Sequence, residues 1–231
     1  MRGTAWATAA LLALLLISAT YGWVQTGSPT TSLNSAGQPV VNYTIPMLAW
    51  VGVGVGFICV IGLYFKPRMA KVIGPIYALA QGFFVGAISK MYESFQGGIV
   101  VQAIGATLAV FLVMLFLYGF RIIKVTDKLR RTVIFATLGI MVFYGISFLI
   151  SLFAGAQAVS FLSSSTPLSI GFSVIVAGIA AMNLALDFDF IERGEKMGLD
   201  RDFEWYGAFG LLVTIIWLYL ELLRLLSKLR N

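Results

Sequence analysis

The chain has 231 residues, of which 59% are hydrophobic and only 11% are charged. Soluble domains carry roughly a quarter charged residues, so this composition excludes a water-soluble globular protein. The chain contains no histidine and a single cysteine, Cys59. Histidine-based catalysis, most zinc sites and an internal disulfide framework are therefore excluded. We predict one transmembrane domain over residues 1–231.

Seven long apolar stretches follow one another along the chain with short polar breaks. A helix needs about 20 mostly apolar residues to cross a bilayer, because its backbone must be hydrogen-bonded within the segment. The sequence thus predicts an all-α membrane protein, a bundle of seven transmembrane helices. The predicted helices cover residues 4–24, 46–65, 73–92, 98–120, 132–154, 166–190 and 204–226.

The first stretch has a second interpretation. Arg2 followed by the apolar run Ala9–Ile17 also fits a signal peptide. Apolar character continues through Tyr21 and Trp23 without a clear cleavage site. We therefore predict a helix that is retained.

Basic residues predict the orientation in the membrane. Positive charge collects in cytoplasmic loops, so the N-terminus and three basic loops are predicted to be cytoplasmic. The uncharged segment 25–45 is predicted to be a flexible external loop. The net charge of +6 is then mostly cytoplasmic anchoring, and no nucleic-acid partner is expected. Twelve of the 16 basic residues fall on this side: Arg2, Lys66, Arg68, Lys71, Arg121, Lys124, Lys128, Arg130, Arg131, Arg193, Lys196 and Arg201.

The C-terminal end is an exception to this charge pattern. Arg224, Lys228 and Arg230 would lie outside if the seventh helix crosses fully. A re-entrant last segment would remove the anomaly. We favour a full crossing and keep the re-entrant path as the alternative.

Small residues mark surfaces where helices approach closely. Gly82 and Gly86 form a G-xxx-G pattern in the third span, and Gly52 and Gly56 lie in the second. We favour packing inside the monomer, with a weak dimer as the alternative. Gln81, deep in the third span, predicts a hydrogen bond between helices.

Three of the ten acidic residues lie within or at the edge of the hydrocarbon: Asp187, Asp189 and Glu221. Such residues tend to line polar cavities or ion paths, because a charge in the membrane is costly. Asn183 and Asp187 are four residues apart and share a helix face, so they offer amide and carboxylate oxygens to one locus, as a hard cation requires. Asp187 is therefore the candidate metal ligand and gate residue. The alternative is a helix end meeting water, since Asp187 lies about one turn inside the predicted end of the sixth span.

The other two acids have alternatives of their own. Asp189 points about 200° away from Asp187 and is expected to face headgroups or the basic loops. Glu221 shares one face with Arg224 and Lys228, so a salt-bridged stripe competes with a role in an ion path.

Enzymatic activity is not expected. The chain lacks a P-loop and a serine–histidine pair. Asp187 and Asp189 lie on one helix and cannot face each other as a protease dyad.

Four stretches of the chain carry a family resemblance: 65–68, 75–89, 186–192 and 204–221. With these motifs the chain resembles the Bax inhibitor family, and specifically its bacterial YccA-like branch. The resemblance implies a seven-helix bundle with the last helix near its centre, in a bacterial inner (plasma) membrane. It also implies a pH-sensitive calcium leak that depends on one acid of the sixth helix and one of the seventh.

By motif, Asp187 matches the acid of the sixth helix. Leu218-Tyr-Leu-Glu221 matches the family's Leu-Tyr-Leu-acid pattern, although the family usually has Asp there and a shorter connection. If the last helix begins near Glu204, Glu221 is 17 residues further on, or about 25 Å away. A direct pair would then require a later start or a re-entrant path.

The function implied is a pH-sensitive cation (calcium) leak channel or transporter gated by membrane carboxylates. Two carboxylates held together cannot both ionise cheaply, so protonation would set the gate while a cation competes for the same oxygens. No cofactor is expected, and calcium is the candidate permeant ion. The alternative is a non-conducting membrane regulator of proteases or stress responses, which would bind a membrane-protein partner through residues 192–204. The protein is expected in a lipid bilayer as a monomer or weak dimer.

Overall fold

A computed structural model describes residues 2–27, 30–33, 39–42, 45–154 and 164–230. Within these residues the chain forms seven long helices, and each is long and apolar enough to cross a membrane. The prediction of an all-α protein with seven spans is confirmed. The helices are α1 (Arg2–Gln25), α2 (Met47–Phe65), α3 (Ala70–Phe95), α4 (Ile99–Gly119), α5 (Asp127–Ala154), α6 (Pro167–Lys196) and α7 (Arg201–Arg230).

The largest boundary differences are at charged helix ends. Helix α5 begins at Asp127 rather than 132, and α6 ends at Lys196 rather than 190. Hydropathy marks only the apolar part of a helix, whereas backbone hydrogen bonding continues beyond it. This extension of α6 changes the expected position of Asp187.

The segment predicted as a flexible external loop contains regular structure. Strand β1 (Thr30–Leu33) pairs antiparallel with β2 (Pro39–Asn42), and Thr30 lies opposite Asn42. The sequence-based prediction of a flexible external loop did not include this hairpin, because segment 25–45 was read from its polar residues and not from Leu33, Val40 and Val41, which favour a strand. Another uncharged segment of the sequence, residues 155–165, lies mostly outside the described residues.

The chain packs as two compact units. The first unit comprises Met1–Val100 and Ile191–Val213, and the second comprises Val101–Phe190 and Thr214–Asn231. Helices α6 and α7 therefore contribute to both. The prediction of one domain stays a prediction.

The first unit is held together by close backbone approach at glycines. Helix α1 packs on α3, where a Cβ at Gly82 would overlap the Leu15 carbonyl oxygen and one at Gly86 the Ala19 carbonyl oxygen. The Ser18 hydroxyl donates to the Leu79 carbonyl at 2.5 Å across the same contact. The G-xxx-G pattern is thus occupied by packing inside the chain.

Helix α2 also packs on α3 in the first unit. Gln81 donates from Nε2 to the Gly52 carbonyl oxygen at 3.3 Å. An added Cβ at Gly56 would overlap the Gln81 side chain. Gln81 therefore makes the interhelical hydrogen bond that the sequence predicted.

The turn between α6 and α7 depends on Gly198. This residue has φ +66°, and its N–H donates to the Glu195 carbonyl at 3.0 Å, while the Leu199 N–H donates to Gly194 at 3.1 Å. A left-handed glycine commonly ends a helix in this way. Helix α7 then runs unbroken for 30 residues, which leaves no break at which a re-entrant segment would turn back.

Replacing Gly86 with Ala should destabilise the protein, because the new methyl group overlaps the α1 backbone. Overpacking of this kind costs about 1–3 kcal/mol. Thermal unfolding in detergent measures the effect. The control is Gly105→Ala on α4, where an added Cβ meets nothing within 4 Å and the better helix propensity of Ala should be neutral or stabilising. Equal melting temperatures for the two variants would contradict the proposed packing.

Candidate ion pathway in the second unit

Helices α6 and α7 run antiparallel in the second unit with a constant register. The Thr214 hydroxyl hydrogen-bonds to Asp187, and the Lys228 ammonium donates to the Ser173 hydroxyl at 2.8 Å. The two contacts are 14 residues apart on each helix, about 21 Å. The same register places Glu221 at the level of Ala180.

Asp187 lies well inside α6. Nine residues separate it from the helix end at Lys196, about 13 Å rather than the single turn expected from the sequence. Its Oδ2 atom is buried and has no hydrogen-bond partner among the described residues. A helix end meeting water does not account for this environment.

Glu221 is the most deeply buried acid among the described residues, with a side chain that is 1% exposed. Its Oε2 atom accepts hydrogen bonds from Arg224 at 2.9 Å and from the Tyr144 hydroxyl at 2.9 Å. Arg224 also donates to the Tyr144 oxygen at 2.6 Å, which closes a three-residue cluster. The second carboxylate oxygen, Oε1, is buried without a hydrogen-bond partner in the part of the chain that the structure describes.

The two acids are closer than the sequence implied but bond to different partners. Thr214, at the level of Asp187, is seven residues before Glu221 on α7, which corresponds to about 10 Å along the helix axis. The expected separation of about 25 Å assumed that Asp187 faces the start of α7. The difference arises because α6 continues past Asp187 and α7 begins before Glu204.

Asn183 and Asp189 contact α5. The Asn183 amide nitrogen donates to the Thr137 hydroxyl at 2.8 Å and to the Ile179 carbonyl at 2.9 Å. Asp189 forms an ion pair with Arg130 at 2.5 Å. Asn183 and Asp187, expected to share one locus, thus bond to different neighbouring helices.

Sequence reasoning missed the contribution of α5. Arg130, Thr137 and Tyr144 recur every seven residues and turn one face of this helix towards polar groups. A seven-residue spacing is close to two turns and keeps side chains on one face. The available signal was this polar repeat, which begins at Arg130 just before the predicted span 132–154 and continues into it.

Together these contacts form a line of polar groups along the second unit, which we call the polar seam. On α6 it extends over 20 residues from Asp189 to Ser169, about 30 Å, which matches the hydrocarbon thickness of a bilayer. The seam consists of Arg130, Thr137, Tyr144, Ser169, Ser173, Asn183, Asp187, Asp189, Thr214, Glu221, Arg224 and Lys228.

The seam does not resemble a resident metal site. Among the described residues, no three His, Cys, Asp or Glu side chains cluster as metal ligands. What the seam offers instead is two separate carboxylate oxygens without hydrogen-bond partners, at Asp187 and Glu221. Each of these oxygens is able to accept a proton or to contact a passing cation.

These features define a seven-helix membrane protein with a polar seam inside one of its packed units. The sequence matches the family model described as Bax inhibitor 1 like over residues 1–231, and the chain belongs to this family. No curated protein matches the chain. The YccA-like branch stays a prediction.

Replacing Tyr144 with Phe should destabilise the protein, because it leaves a buried carboxylate with one donor fewer. A lost hydrogen bond to a charged group costs about 1.5–3 kcal/mol. Denaturant or thermal unfolding in detergent measures the loss. Tyr64→Phe is the matched control, since Tyr64 is 77% exposed. An equal stability for both variants would show that the Tyr144 hydroxyl is dispensable.

Proposed function

We propose that the protein is a cation leak pathway of the Bax inhibitor type, with calcium as the permeant ion and the polar seam as its route. One observation carries the proposal. Asp187 and Glu221 each hold a buried oxygen without a hydrogen-bond partner among the described residues. Thr214, which bonds to Asp187, is about 10 Å from Glu221 along the α7 axis. A buried carboxylate oxygen left without a donor is unfavourable unless another species contacts it.

The chemistry of the seam suits a hard cation. Carboxylate, amide and hydroxyl oxygens are the ligands that calcium prefers, and the seam supplies all three types. Its length of about 30 Å on α6 is sufficient to cross the hydrocarbon. In the proposed resting state the amide and hydroxyl groups of the seam are hydrogen-bonded to protein groups, whereas Asp187 Oδ2 and Glu221 Oε1 have no such partner among the described residues.

The same carboxylates provide a route to pH sensitivity without histidine. A proton and a cation compete for the oxygens of Asp187, so the protonation of this group sets how strongly the pathway holds calcium. Arg224 and Tyr144 satisfy one oxygen of Glu221 and leave the other for a proton or an ion.

Asp187→Asn should lower calcium flux and flatten its pH dependence. Loss of one charged ligand costs on the order of 1.5–3 kcal/mol, which is roughly tenfold or more in rate. The measurement is calcium release from loaded liposomes that contain the purified protein, at several pH values. The control is Asp202→Asn, an exposed aspartate in the first turn of α7. Unchanged flux and pH profile in Asp187→Asn would exclude Asp187 as the gate.

The alternative function is a non-conducting regulator that acts through protein contacts. It draws support from the connection between α6 and α7, where Met197 is 67% exposed and Leu199 is 47% exposed among charged residues. Vesicles without calcium flux, together with a partner that co-purifies through residues 192–204, would favour this second function.

A further inference from the structure

Lys228 lies near the end of α7 and is nonetheless buried, with a side chain that is 4% exposed. Its ammonium group donates to the Ser173 hydroxyl at 2.8 Å and to the Ser169 carbonyl oxygen at 3.3 Å. Both serines are fully buried. The ammonium is therefore shielded from solvent by its contacts with buried groups of the second unit.

The acceptors of Lys228 are both uncharged. Glu221 is seven residues earlier on the same helix, about 10 Å away along its axis, and pairs with Arg224. Glu221 adds only an attraction at longer range, which the nearby Arg224 charge opposes. A buried charge whose direct hydrogen-bond acceptors are all neutral is costly. A methionine of similar size would avoid this penalty, so packing alone does not explain a lysine here.

The oxygens that hold Lys228 are of the kind that bind metal cations. Backbone carbonyl and hydroxyl oxygens serve as ligands for hard cations in proteins. The Lys228 ammonium is hydrogen-bonded to two such oxygens, at the end of the polar seam that lies opposite to Asp189. A cation that moved along the seam would meet this fixed positive charge, with Arg224 one turn before it on α7.

We propose that the Lys228 ammonium is a tethered cation, bound to the Ser169 and Ser173 oxygens, that opposes the passage of cations along the polar seam and does so more strongly for divalent than for monovalent ions. The proposal rests on the proposed function and identifies the residue that sets its charge selectivity. The preference follows from Coulomb's law, because the repulsion of a calcium ion is twice that of a potassium ion at the same place.

The test is Lys228→Met in liposomes loaded with calcium or with potassium. If potassium flux rises by about threefold, calcium flux should rise by about ninefold. The repulsion energy doubles with the ionic charge, and the rate depends exponentially on that energy, so the fold-change for calcium is the square of that for potassium. Lys228→Arg keeps the charge and should conduct like the wild type. The control is Lys71→Met, an exposed lysine of α3, which should change neither flux.

A second measurement separates a charge barrier from a loosened structure. Lys228→Met should melt at or above the wild-type temperature, since replacing a buried charge by an apolar group of similar volume is often neutral or stabilising. An equal rise in both fluxes, or a rise in Lys228→Arg as well, would overturn the charge barrier.

The outcomes also separate this proposal from the proposed function. If Asp187→Asn lowers calcium flux while Lys228→Met leaves both ions unchanged, the role of Lys228 is overturned and the leak pathway stands. If the wild type and Lys228→Met are both silent to calcium and potassium, both proposals are overturned. A selective rise for calcium that Asp187→Asn abolishes in the double variant supports both.

Discussion

Polar side chains within apolar helices must find their partners inside the protein, and this constraint organises the second unit. Hydrocarbon offers no hydrogen bonds, so a polar side chain on a spanning helix bonds to another helix, bonds to a carbonyl of its own helix, or is left unsatisfied. The seven-residue spacing of Arg130, Thr137 and Tyr144 on α5 keeps three polar side chains on one helix face. Among the described residues of this unit, Asp187 and Glu221 are those with a buried side-chain oxygen that lacks a hydrogen-bond partner.

The two units achieve helix packing by different chemistry. In the first, glycines such as Gly82 and Gly86 let α3 approach the α1 backbone closely, with hydrogen bonds from Ser18 and Gln81 added to the close packing. In the second, hydrogen bonds and ion pairs link α5, α6 and α7. Close packing at a glycine allows essentially one relative position of the two helices. In a polar contact, by contrast, a proton or an ion can replace one of the hydrogen-bonding partners. This difference is the physical reason to look for function in the second unit.

The sequence predicted the seven helices because hydropathy reports directly on length and burial in lipid. It also identified Asp187, since a lone acid in an apolar span is conspicuous. It misplaced Asp187 relative to α7, because hydropathy does not register the charged turns by which α6 extends to Lys196. The α5 residues were missed because single Thr and Tyr residues do not stand out in an apolar span. Only the packing of α5 against α6 and α7 brings Thr137 to Asn183 and Tyr144 to Glu221.

The basic residues at the C-terminal end illustrate the same limit. Counted along the sequence, Arg224, Lys228 and Arg230 look like loop charges on the wrong side of the membrane. In the structure Arg224 pairs with Glu221, and Lys228 is buried against two serines. Of the three, only Arg230 is exposed. The positive-inside rule concerns charges in loops, where they meet water and headgroups. The position of a charge inside a helical unit is determined instead by the groups that it contacts. For Lys228 those groups are oxygens of the kind that bind a cation.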